Sequence, residues 1–153
     1  MKKIILSLLV VFASLIVNAQ IEKPVTWAFT AKKISAMEYE LHMTASMQNK
    51  WHIYSQEIKG DGPVPTSINF DKNPLVKLVG NVAELGKVVK EYSKVFSMNL
   101  SYFANKVDFV QKITLKSVLN TIAKGKVTFM TCNDEKCLAP TTIPFSIKIN
   151  AKS

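Results

Sequence analysis

Residues 37 to 47 alternate strictly. Met37, Tyr39, Leu41, Met43, Ala45 and Met47 are apolar, and Glu38, Glu40, His42, Thr44 and Ser46 stand between them. A period of two sends the two sets to opposite faces of an extended chain, which predicts a half-buried β-strand. Val25, Trp27 and Phe29 open a second such strand. Val107, Phe109, Ile113 and Leu115 mark a third, Val127 and Phe129 a fourth, and Ile143, Phe145, Ile147 and Ile149 the last. Shorter candidates lie at 51–55, 67–70 and 76–85. Seven or eight short strands separated by polar or Gly/Pro turns predict an all-β fold, an antiparallel immunoglobulin-like β-sandwich. One stretch resists the pattern. Tyr92, Val95, Phe96, Asn99, Leu100 and Phe103 fit helical spacing about as well as a loop and short strand, so 86–99 is expected to be a long aromatic connection. Connections of that length are uncommon unless functional.

The start of the chain follows a different rule. Lys2 and Lys3 precede an apolar run from Ile4 to Val17, and Val17-Asn18-Ala19 supplies small residues before Gln20. Residues 1–19 are therefore expected to be a cleaved signal peptide, leaving 20–153 as one domain. The run is roughly 14 residues, short of the roughly 20 that a spanning helix needs, so no stable membrane insertion is expected after cleavage. An exported chain meets conditions in which disulfides form and persist.

Charge adds less. The formal net charge is +9, and all 20 basic residues are lysine. Without arginine the chain lacks the planar fork that reads base edges, so no nucleic-acid partner is expected. The lysines are scattered, as on a solvated basic surface. No serine–histidine–acid triad, phosphate-cradling glycine loop or paired-carboxylate constellation stands out.

The chemistry is concentrated in one place. Cys132 and Cys137 are the only cysteines, with four residues between them, after the strand expected at 126–131 and before Leu138-Ala139-Pro140. The polar turn between them brings the segment's ends within reach of a bridge. Closing about six residues stabilises a fold by only ~2 kcal/mol in the chain-entropy model, so a pure staple would more naturally join distant strands. Cys132 shares the phase of Lys126, Thr128 and Met130, which places the pair near the surface at a strand end. A structural disulfide, a redox-active pair and metal ligation all remain open on spacing alone. The thioredoxin-type two-residue spacing is absent.

Thr131-Cys132-Asn133-Asp134-Glu135-Lys136-Cys137-Leu138-Ala139-Pro140 resembles the redox segment of the N-terminal domain of the DsbD thiol:disulfide interchange protein family. Trp51-His52-Ile53-Tyr54-Ser55-Gln56-Glu57-Ile58 is similar to the aromatic strand beside the cysteines in that family. The resemblance spans essentially all of 20–150. It implies an immunoglobulin-like domain in the periplasm that passes reducing equivalents to partners through mixed disulfides, without metal or organic cofactor. It makes Cys132 and Cys137 the catalytic pair, with Cys137 bonding to the partner and Cys132 resolving. His52 and Tyr54, on one strand face, would line the site. The covering ring would be Phe96 or Tyr92, within 92–98. Implied partners are a thioredoxin-like electron donor on a separate chain and periplasmic clients bearing disulfides.

Three departures stand beside it. The cysteine spacing is one residue shorter than in the best-known members, the cap segment lacks their acidic pair, and no membrane or thioredoxin-like segment follows before Ser153. The main rival is an exported binding or structural module with an inert disulfide. Metal capture by His42, Met43, Met47 and His52 is weaker. His42 and Met43 face opposite ways on a strand, and Met37, Met43 and Met47 share the core face. Trp51, on the face of Ile53, is expected in the core.

Overall fold

The alternation seen in sequence becomes burial in space. In the computed structural model, which describes residues 22–58 and 60–151, Tyr39, Leu41, Met43, Ala45 and Met47 are all buried, and their even-numbered neighbours are not. The leader expected at 1–19 lies outside the described residues. The described residues form nine strands: β1 (Val25–Lys33), β2 (Glu38–Met47), β3 (His52–Tyr54), β4 (Ser67–Phe70), β5 (Val76–Ser93), β6 (Met98–Leu115), β7 (Thr121–Phe129), β8 (Thr131–Cys132) and β9 (Thr141–Ile149).

They make two antiparallel sheets. The larger runs β1-β2-β6-β3-β8, with β5 along the other edge of β6; the smaller runs β4-β7-β9. Leu41, Phe103, Phe109 and Ile113 of the larger sheet share one core with Val127, Phe145, Ile147 and Ile149 of the smaller. This is the expected immunoglobulin-like sandwich. Aromatic rings join the layers. Trp27 lies 5.3 Å from Phe129 and 5.8 Å from Phe109, and Phe29 lies 5.3 Å from Phe145, measured between ring centroids. Such pairs contribute beyond the apolar area they bury. Trp51, Met43 and Met47 sit in this core, as expected.

The expected long connection at 86–99 does not exist. β5 continues to Ser93, a four-residue turn spans 94–97, and β6 begins at Met98. Alternation failed to reveal this strand because most of it is exposed on both faces, Leu85 and Val88 included. Two register shifts, between Val79 and Ala83 and between Gly86 and Val88, break its phase further.

β6 serves two neighbours on one edge. Lys106–Thr114 pair with β2, whereas Tyr102–Ala104 pair with β3. Between them Asn105 takes φ 66°, a left-handed conformation that asparagine tolerates better than most residues. The first part of β6 is thereby delivered to β3, beside the cysteine segment.

The chain also changes sheets at Met130. β7 belongs to the smaller sheet and β8 pairs with β3 in the larger, so the single strand expected at 126–131 is two. This crossing leaves the Thr131 hydroxyl buried without a hydrogen-bond partner. An unsatisfied buried hydroxyl is costly, so Thr131→Val, which keeps the shape and removes the polar atom, is expected to stabilise the protein by about 1 kcal/mol. The check is a urea midpoint that rises at unchanged slope.

Candidate functional site

Residues 131 to 138 form a tight β-hairpin. Leu138 N–H donates to the Thr131 carbonyl and Asn133 N–H to the Lys136 carbonyl, both at 2.9 Å. The Asn133 side-chain oxygen accepts from the main-chain N–H groups of Glu135 (2.9 Å) and Lys136 (2.8 Å), closing the turn. Cys132 and Cys137 therefore face each other between two hydrogen-bonded pairs, the position at which antiparallel strands come closest. Their Cα atoms are 4.0 Å apart and their sulfurs are joined in a disulfide.

The two sulfurs have unlike surroundings. Cys137 is exposed, but Cys132 is only 2% exposed, which corrects the expectation that both lie near the surface. The sheet change at Met130 is the reason, since phase counted along β7 does not carry into β8. Cys132 clusters with Tyr54 and Leu100, apart from the main core. Phe96 and Met98 of the β5–β6 hairpin pack onto that cluster, as do Ile58, Tyr102 and Met130. The larger sheet thus buries its main core on one face and this satellite cluster on the other. Ile53 and Phe103 belong to the first face; His52, Tyr54, Tyr102 and Cys132 alternate onto the second.

An open cleft of about 600 Å³ lies over the disulfide, lined by both cysteines, His52, Tyr54, Tyr92 and Phe96 among others. All six sequence-predicted site residues therefore meet in one place. Phe96 is half-buried against the Cys132 cluster, whereas Tyr92 is 58% exposed at the rim. Gly62 backs the hairpin tip. A Cβ there would come 2.8 Å from Met98 Sδ, so the bare backbone lets Met98 settle.

His52 stands directly across from Cys132 in the β3–β8 register. Its ring leans on Tyr102, with centroids 4.4 Å apart, and meets Tyr54 edge-on at 5.3 Å. His52 Nε2 lies 3.4 Å from the Tyr54 hydroxyl. Burial pushes the imidazole pKa below its usual 6.5, against the opposing pull of Asp134 and Glu91. Burial raises the phenol of Tyr54, with Tyr102 adding to it. Tyr102 is raised too, first by burial and then by donating its hydroxyl to Glu91 at 2.9 Å.

Sequence reasoning missed Tyr102 and Glu91 as site residues. Leu100 and Tyr102 carry a period-two signal that continues the phase of Tyr54 across the sheet, and helical spacing in the same stretch masked it. It also missed that Lys136, beside Cys137, is held by Glu22 at 2.7 Å. The residues weighed for metal capture are dispersed. His42 is engaged by Asp108 at 2.6 Å, which also accepts from Thr44 at 3.0 Å, while Met43 and Met47 lie in the core.

Residues 19–148 match the family described as thiol:disulfide interchange protein DsbD, N-terminal. No curated protein sequence matches the chain. Among solved structures, the fold is similar to the N-terminal periplasmic domain of ScsB from Proteus mirabilis, with TM-score 0.58 and 14% identity over 88% of this chain. The chain spans about half of that structure, 49%. It is also similar to the DsbD N-terminal domain of Neisseria meningitidis in the reduced form, with TM-score 0.55, 11% identity, and coverage of 87% of this chain and 91% of that one.

Proposed function

The chain belongs to the DsbD N-terminal domain family, and from that premise we propose that it is a thiol:disulfide exchange module working through Cys132 and Cys137. The observation that carries the reading is the unequal exposure of the two cysteines in one short hairpin. An incoming thiolate can reach Cys137, while Cys132 is sheltered from solvent and from partners. Exchange proceeds through a mixed disulfide, so the order of attack is set by which sulfur is accessible.

With the protein reduced, the Cys137 thiolate attacks a partner disulfide, forms the mixed disulfide and releases one partner sulfur. Cys132 then attacks Cys137, closes the bridge seen here and releases the second. Two electrons leave with the partner, and neither metal nor organic cofactor enters. Recharging runs the same steps backwards from a dithiol donor. Phe96 acts as the cover over Cys132, Tyr92 forms part of the rim, and His52 and Tyr54 make the floor. The fitting partners are a thioredoxin-like donor on another chain and disulfide-bearing clients. The fitting location is the periplasm, reached through a signal peptide at 1–19. Among the described residues no helix is long and apolar enough to cross a membrane.

The reduction potential of the pair tests the reading. Structural bridges in secreted proteins fall below about −300 mV, and exchanging ones lie above it. Equilibration with glutathione or dithiothreitol buffers is expected to give a value less negative than that limit. A more negative value marks an inert bridge and overturns the proposal.

A further inference from the structure

Resting on the exchange reading, we propose that His52 carries the proton of Cys132: its imidazole accepts the thiol proton as that sulfur attacks Cys137. Three observations converge on it. His52 is the cross-strand neighbour of Cys132, on the same face of the sheet. Its ring is fixed by two tyrosines rather than free in solvent. Cys132 is buried among Tyr54, Leu100 and their apolar neighbours, surroundings that keep a thiol protonated and therefore a poor nucleophile without a base.

The other titratable groups around His52 do not fit the task. From its own strand comes the Tyr54 phenol, and from β6 the Tyr102 phenol; both are raised and hold their protons at neutral pH. From β5 comes Glu91, already accepting from Tyr102, and from the turn after it Lys94. From the cysteine hairpin come Asp134, Glu135 and Lys136, all on the exposed turn, with Lys136 paired to Glu22. Histidine is the side chain that takes and returns a proton near neutral pH. Burial keeps this one unprotonated there, in the accepting form.

The step balances. The Cys132 S–H proton passes to the imidazole, and the sulfur's electron pair forms the bond to Cys137. The Cys137–partner bond breaks, and the departing partner thiolate takes up the proton from the imidazolium directly or through water. The partner is reduced and the cysteine pair oxidised. On recharging, the same group protonates Cys132 as it leaves.

The test uses the reduced protein and the aromatic disulfide of thionitrobenzoate, followed by stopped-flow absorbance. Attack by Cys137 releases the first thionitrobenzoate, and attack by Cys132 on the mixed disulfide releases the second. In His52→Phe and His52→Gln the second release is expected to slow about 100-fold or more near neutral pH, the lower end of what a positioned base contributes. Its rise with pH should also move from the imidazole range to the thiol range. His52→Phe keeps a ring against Tyr102, and the smaller, polar His52→Gln serves if that variant misfolds. A second phase with wild-type rate and pH profile overturns the inference, as does uniform slowing with an unmoved profile, which is the mark of a packing role. A wild-type protein that releases only one equivalent has no resolving step, which overturns the exchange reading and this inference together.

Discussion

Cys137→Ser abolishes exchange, whereas Cys132→Ser accumulates a covalent complex with the partner. The asymmetry follows from burial. With Cys137 removed, the remaining cysteine is the buried one, packed beneath Phe96 and Met98 of the β5–β6 hairpin, so a partner disulfide is not expected to reach it. With Cys132 removed, Cys137 still attacks, but nothing within the hairpin can displace the partner. The mixed disulfide then persists until an external thiol releases it. Incubating each variant with an oxidised thioredoxin-like protein and resolving the products without reductant reads the outcome. Exchange at the wild-type rate in Cys137→Ser would falsify the assignment of the attacking sulfur. A complex trapped by Cys137→Ser, in place of Cys132→Ser, would reverse the two roles.

The second large effect is on folding. Gly125 lies in β7 between Phe70 of β4 and Phe145 of β9. A Cβ there would collide with the main-chain oxygen of Asn69 and come 2.5 Å from Cζ of Phe145. Neither obstacle gives way easily. The oxygen belongs to the adjoining strand, and the Phe145 ring is wedged between Phe29 and Phe70, with both centroid distances 5.3 Å. Overpacking of this kind costs typically 1–3 kcal/mol and occasionally more, so Gly125→Ala is expected to lose about 3 kcal/mol. Urea unfolding with an unchanged slope measures it. Phe145→Leu, which trims the ring, should recover part of the loss in a double-mutant cycle, because the two positions touch. A loss under about 0.5 kcal/mol, within the range of ordinary surface substitutions, sinks this account of the glycine.

Legibility in the sequence tracked burial on one face. β2 was readable residue by residue because its odd positions enter the core and its even ones do not. β9 was readable from Ile143, Phe145, Ile147 and Ile149 for the same reason. β5 was half missed, because a strand exposed on both faces and interrupted by two register shifts carries no period. The cysteines, His52, Tyr54, Tyr92 and Phe96 could be singled out one by one from spacing and resemblance. Tyr102 was hidden because helical spacing masked its period-two signal, and Glu91 because its part in the site depends on a pairing between β5 and β6 that no local pattern encodes.

The sequence by itself determined most of the strands, the sandwich and a short polar turn that brings the two cysteines within reach of each other. These follow from period-two alternation, turn residues and short-range chain geometry, which are local properties. Only the tertiary structure decided which sulfur is sheltered and which is offered. That depends on the crossing at Met130 from one sheet to the other, and on the hairpin of β5 and β6 folding over β8. Both bring together residues far apart in the chain, and burial is a property of the assembled surface rather than of any segment in it.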